Sequence, residues 1–235
     1  ADKRLITAAI EEIQWVAALK PNTIGVPDYR DTLREYLEIA VLAVTVRGVV
    51  KPASHSRLAE LVHRAVPYPV LLLLIKGQSL TLSLAHKRWA QNEADKVVLD
   101  GRLISVRVSA SLSEVNAADS SHPDPAAAAQ AENAFIQSLS VTRQPQATLH
   151  ALYQGWVDCV QALLAARLTG SYQTPTTPEQ AAARRQALAD CERLEAEVSR
   201  LRAQAAKEKQ MARQVELNLT LKRVQAELAT ARQQL

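Results

Sequence analysis

From Glu179 to Leu235 the chain contains neither glycine nor proline, and this stretch constrains the fold more than any other feature. The two residues most costly to a helix interior are missing, so the sequence predicts one helix, roughly 85 Å long at about 1.5 Å per residue. Thr177-Pro178-Glu179-Gln180 marks its start, with a capping hydroxyl, proline at the first helical position and Gln180 placed to complete a capping box. Leu194, Val198, Leu201 and Ala205 step by four, three and four. After Val215 the steps resume as Leu217, Leu221, Val224, Leu228, Ala231 and Leu235. These are the intervals of a coiled-coil seam, with a shift of register between its halves. A rod this long outruns any small domain, and its apolar stripe stays wet unless a partner covers it. The expectation for 176–235 is therefore a coiled-coil helix that grips a second copy of the chain or another polypeptide.

Between Lys207 and Asn218 the apolar stripe thins. Lys209, Arg213 and Glu216 occupy one flank at spacings of four and three. A guanidinium such as Arg213 can hold a carboxylate with two hydrogen bonds. A polar group such as Asn218 fixes the alignment of a seam at some cost in stability. These four are the candidate partner-binding residues. From Glu179 onward there are 11 Lys and Arg against 8 Asp and Glu, which accounts for most of the net charge of +4. Because the opposite charges are interleaved, the pattern fits an ion-paired face better than a phosphate track. Nucleic-acid contact is compatible with the sequence but weakly supported.

The region 1–115 reads as an α+β domain, a small mixed sheet with helices on one face. Leu5, Ile6, Ala9, Ile10, Ile13 and Val16 recur at helical spacing, predicting a helix that stops before Pro21. Glu35 to Val46 is β-branched and apolar, a central strand. Ser54–Ala65 returns to helical spacing. Val70–Lys76 and Ser79–Lys87 flank Gly77-Gln78 as a hairpin, with Leu80, Leu82 and Leu84 facing one way and Thr81 and Ser83 the other. Asp100-Gly101 predicts a second hairpin, between Val97–Leu99 and Leu103–Val108. Region 116–175 holds the end of a polar linker (111–125), an alanine-rich helix and a stronger helix from about Gln146 to Leu168, closed by Gly170.

Aromatic residues make up only 4% of the chain, so alanine, leucine and valine carry the core. Cys159 and Cys191 are far apart, which argues against a disulfide scaffold and for a reducing, cytoplasmic setting. The longest apolar run, Val66–Ile75, contains Pro67 and Pro69 and is too short to cross a bilayer; no signal peptide is read at the start. No glycine-rich phosphate loop occurs, and no cofactor is implied. His55 and His63 are eight apart, where a helical metal pair needs three or four, so no metal site is expected. One enzymatic alternative is a metal-dependent nuclease built on Glu35, Glu38 and Lys87. Its weak point is Ala85, where a metal-binding carboxylate should stand beside the lysine. Trp15 and Tyr68, the latter aimed by prolines on both sides, are candidate contact residues of the sheet domain.

Several motifs occur together in order: Ile13-Gln14-Trp15, Lys20-Pro21-Asn22-Thr23-Ile24, Ala65-Val66-Pro67-Tyr68-Pro69, Leu152-Tyr153, and Glu208-Lys209-Gln210-Met211-Ala212-Arg213-Gln214-Val215-Glu216-Leu217-Asn218. In these the chain resembles the bacterial domain-of-unknown-function family forty-three-ninety-one. It departs from that family at Gln14 and at Met211-Ala212. The resemblance implies no activity. It implies a genomic setting beside Swi/Snf-type helicases and DNA methyltransferases in restriction or phage-defence loci. Joined to the coil, it points to a non-catalytic accessory subunit tethering a helicase, a methyltransferase or a second copy, with a DNA-contacting or nuclease-like subunit as the alternative.

Overall fold

The computed structural model describes residues 2–48, 52–91, 93, 96–109 and 125–235. The chain divides into two compact units, one formed by 1–120 with 132–160 and the other by 121–131 with 161–235. The linker expected over 111–125 falls outside the described residues except at its last position.

In the first unit α1 (Asp2–Ala9) runs into β1 (Ile10–Leu19), followed by a single turn, α2 (Pro21–Ile24), and a two-residue-strand hairpin, β2 (Tyr29–Arg30) and β3 (Glu35–Tyr36). Then come β4 (Ile39–Val46), α3 (Pro52–Ala65), β5 (Val70–Lys76), β6 (Ser79–Trp89) and β7 (Val97–Ser109). The five long strands form one sheet in the order β1-β4-β5-β6-β7. Only β4 and β5 are parallel, as a crossover through α3 requires. Between Lys76 and Ser79 the chain turns on Gly77, whose φ of +55° is costly for any residue with a Cβ; the predicted hairpin is present.

Three expectations are corrected. The helix read over Leu5–Val16 is half helix and half strand: β1 pairs with β4 from Ile10 to Leu19. β1 is an edge strand with Ile13, Trp15 and Val16 exposed, so neither face imposes the period-two alternation that marks a strand. Asp100-Gly101 does not close a hairpin. β7 is continuous, and its pairing with β6 jumps from Leu84↔Ile104 to His86↔Asp100, leaving Gly101, Arg102 and Leu103 as a bulge. Gly101, at φ +80°, supplies the left-handed residue that such a bulge needs. Lastly, helices cover both faces of the sheet. Successive residues of a strand point oppositely; His86 hydrogen-bonds Gln154 on α5 (Leu149–Thr169), whereas Lys87 hydrogen-bonds the carbonyls of His63 and Val66 at the end of α3.

The core on the α3 side comprises Ala40, Leu42, Val44 and Val46 of β4, Val70, Leu72 and Leu74 of β5, and Leu58, Ala59 and Val62 of α3. On the other face Leu82 and Leu84 are buried. Tyr153 of α5, with no exposed surface, accepts a hydrogen bond from the Ala85 amide (2.9 Å) and donates to the Val70 carbonyl (2.7 Å). It thereby continues the β5–β6 ladder where pairing stops. Gly155, two residues on, has no room for a side chain: a Cβ there would lie 2.5 Å from Oε1 of Gln144 and 2.6 Å from Cδ of Pro145.

In the second unit the predicted single rod is two helices, α6 (Pro178–Lys207) and α7 (Met211–Gln233). They run antiparallel, tied by Arg232–Glu195 at 2.8 Å. The predicted N-cap is present: Thr177 accepts from the Gln180 amide, although the Gln180 side chain bonds Thr176 rather than Thr177. The seam residues close on one another. Cys191, Leu194, Val198 and Leu201 of α6 pack with Val224, Ala231 and partly buried Leu217, Leu221 and Leu228 of α7. The turn is Glu208-Lys209-Gln210, the polar interval of the register shift. It needs no glycine because Glu208 and Gln210 adopt extended angles open to any residue. The Glu208 carboxylate accepts from the Lys209 and Gln210 amides, both at 2.8 Å, serving backbone donors at the opening of α7. The hydrogen bond donated by the Gln210 amide leads the effects holding that carboxyl below its ordinary range.

Candidate functional site

The three residues of the nuclease alternative are each engaged separately. Glu38 pairs with Lys20 at 2.8 Å, Glu35 with Arg30, and the buried Lys87 ammonium caps the carbonyl end of α3. A cation bonding the last carbonyls of a helix complements its dipole. Ala85 beside it is buried and brings no carboxylate. Lys87 is thus a structural lysine, and desolvation pushes its pKa down to about 8.

On the opposite face a cluster of rings forms that spacing could not reveal. The β2–β3 hairpin places Tyr29 and Tyr36 against His150, near the start of α5: Tyr29 stacks on it at 4.8 Å and Tyr36 meets it edge-on at 4.9 Å. Asp31 holds the hairpin turn, accepting from the amides of Leu33 and Arg34 and from the Tyr29 hydroxyl. His86 of β6 lies 5.4 Å from His150. Because the Lys87 amide points at the Tyr36 oxygen, Tyr36 donates its own proton to Nδ1 of His86, 2.6 Å away. His86 then carries its proton on Nε2 and donates to Oε1 of Gln154 at 2.9 Å, while the Gln154 amide donates to Asp158 at 2.8 Å. The β7 bulge aims Asp100 at Arg34, which grips it through Nε (2.9 Å) and a terminal nitrogen (2.6 Å).

Electrostatically the cluster is neutral. Burial pushes His86 down to about 4, with neighbouring His150 adding to the effect, and burial leads the lowering of His150 itself. Desolvation raises both Tyr36 and Tyr153. Since an amide, Gln154, separates His86 from Asp158, the chain of bonds orients the histidine but cannot hand its proton to the carboxylate. The arrangement fixes α5 and the β2–β3 hairpin on the sheet. Among the described residues no group of three or more His, Cys, Asp or Glu could hold a metal ion.

The hairpin presents the remaining candidates. Lys209 lies in the turn. Arg213 and Glu216 come together, with Arg200, Gln204, Lys207 and Thr220, along a groove of about 600 Å³ near the tip. Asn218 lies outside it and is exposed. On the outward side of α7, Met211, Val215 and Leu219 follow each other at spacings of four, exposed at 76%, 52% and 64%. This stripe was hidden in the sequence because the seam periodicity overlays it. Trp15 (51% exposed) and Tyr68 (38% exposed) stand on β1 and on the loop before β5, and no ring contact joins them. No described helix is long and apolar enough to cross a membrane.

A family model for a domain of unknown function, DUF4391, matches residues 1–228. No curated protein and no solved structure matches the chain.

Proposed function

The chain belongs to the DUF4391 family, and we propose that it is a non-catalytic accessory subunit that holds another polypeptide, in the setting of a bacterial helicase–methyltransferase defence system. The observation that carries this reading is the exposed stripe Met211–Val215–Leu219 on a helix whose opposite side already closes the hairpin. Three large side chains one turn apart form an anchor pattern for an amphipathic helix. A partner helix laid along α7 would make a three-helix coil of the two-helix hairpin, and Glu216 and Asn218 would flank it, while Arg213 stays on the groove side.

Charge favours a different polypeptide over a second copy. Between Lys207 and Arg223 there are five basic side chains and two acidic ones, so two copies joined here would oppose like charges, whereas a helix with acidic flanks complements them. Contact with DNA through the same basic excess is the runner-up. Against it, Arg223 of this segment is paired with Glu227, and Arg193, Arg200 and Arg232 elsewhere on the hairpin are each paired with a carboxylate.

Covering a half-exposed side chain of this size contributes about 1 kcal/mol, so the stripe supplies roughly 3 kcal/mol, or about two decades of affinity. M211S/V215S/L219S should therefore weaken the complex with the products of the neighbouring genes at least tenfold in light scattering, with helicity and Tm of the free chain unchanged. Equal binding by the triple variant would remove the basis for the proposal.

A further inference from the structure

β1 and β7 are the two edges of the five-stranded sheet, and they are built differently. β7 carries Arg102 and Arg107 and is bent by the bulge at Gly101. Edge charges and bulges are devices that keep a sheet from pairing with another chain. β1 has no lysine, arginine or proline along its length. Its residues Glu11–Val16 are all exposed, and among the described residues no strand pairs with its outer edge. Glu11 and Val16 fall out of register with β4 and bracket a regular stretch, Glu12–Trp15.

Ile13 stands opposite Val44 and Trp15 opposite Leu42. Directly opposed residues share a face of the sheet, so both lie on the side where Leu42 and Val44 meet α3. They continue the apolar row of that core to the edge, where 55% of Ile13 and 51% of Trp15 stay exposed. Glu12 and Gln14 point to the other face.

A second copy fits this edge better than an arbitrary strand does. Two identical edges pair antiparallel about a two-fold axis perpendicular to the sheet, which keeps each face continuous across the joint. A residue then stands opposite itself or a residue an even number of positions away. An axis at Ile13 sets Trp15 against Glu11, and an axis at Trp15 sets Ile13 against Ala17; both run the ladder into a register shift. The axis at Gln14 sets Ile13 against Trp15 twice, within the regular stretch. An aromatic opposite a β-branched residue is among the favourable cross-strand pairs. Glu11 and Glu12 of the two copies fall at opposite ends of the ladder, so no carboxylate faces another.

We propose that the chain forms a two-fold dimer through its β1 edges, with Gln14 facing its own copy at the axis and Ile13 packed on Trp15 of the second copy at either side. Two five-stranded sheets become one of ten strands. A ladder this short is a small interface, so the dimer is reversible. It does not rest on the polypeptide-binding role proposed for α7.

Cysteine cross-linking on the full chain reads the register. Opposed residues of an antiparallel pair have Cα atoms about 4.5–5.5 Å apart, within reach of a disulfide, so Q14C should oxidise to a covalent dimer. E12C should not, because Glu12 of the second copy lies four residues along, about 13 Å away. Both native cysteines are buried, and the wild type is the blank. In sedimentation the wild-type mass should rise from one chain to two with concentration, and W15E should weaken this at least tenfold with an unchanged circular dichroism spectrum. A wild type that stays a single chain up to sub-millimolar concentration, equal cross-linking of E12C and Q14C, or a dimer of equal affinity in W15E would each overturn the assignment. A dimer lost in M211S/V215S/L219S but kept in W15E would place the joint on α7 instead.

Discussion

Replacing Lys87 by Met is expected to cost the fold about 3 kcal/mol, because the buried carbonyl of His63 and the partly buried carbonyl of Val66 lose their donor at roughly 1–3 kcal/mol each. Part of that loss is offset by no longer burying an ammonium. Urea denaturation reads the effect as a lower midpoint with unchanged slope. The same lysine predicts a pH signature. Its folded pKa, about 8, lies below the ordinary value of 10.5. Between those values the unfolded chain binds the extra proton, so wild-type stability rises with pH across that window. The rise should vanish in K87M. A catalytic lysine would behave differently: its loss would leave stability nearly intact and abolish a cleavage activity. Plasmid cleavage with Mg²⁺ that disappears in K87M at equal stability would restore the nuclease reading.

Acid should begin to destabilise the first unit above the pH at which carboxylates titrate. His63 and His86 are held neutral, with values pushed down to about 3 and about 4 by burial. Their unfolded values lie near 6.5, so the unfolded state takes up protons first as the pH falls. The stability these two histidines contribute is complete above pH 6.5. It is lost progressively from there through pH 4 and on to pH 3. At 1.36 kcal/mol per unit, the loss by pH 4 is on the order of 5 kcal/mol, comparable with the whole stability of many domains. His150, also lowered, adds in the same direction. Thermal melts from pH 7.5 to 4 provide the check. H86Q should flatten the decline, and a wild-type Tm independent of pH over this range would contradict the buried neutral state.

What the sequence disclosed follows from how local each feature is. The β5–Gly77–β6 hairpin was legible because the turn and its flanking alternation lie within a dozen residues. The Thr81/Ser83 face was legible too, though not what it faces. β1 was misread because Leu5 through Val16 satisfies a helical period while Ile13, Trp15 and Val16, exposed on an edge, break the alternation of a strand. Asp100-Gly101 was misread as a hairpin because the left-handed glycine a tight turn uses also serves a bulge, and which of the two forms depends on the register with β6. The hairpin turn at Glu208–Gln210 lacks glycine and proline. Its only trace was the register shift, which a rod and a fold-back explain equally well until tertiary packing decides. The ring cluster was invisible because Tyr36, His86 and His150 meet across separations of 50 residues or more.

The claim that the outward face of α7 grips another polypeptide is tested most directly by hydrogen exchange on the full chain with and without the products of its neighbouring genes. Binding should slow exchange across Met211–Lys222 by at least tenfold and leave the exposed edge of β1, Ile13–Val16, unchanged. Protection on β1 with none on α7, in a complex that demonstrably forms, would contradict it.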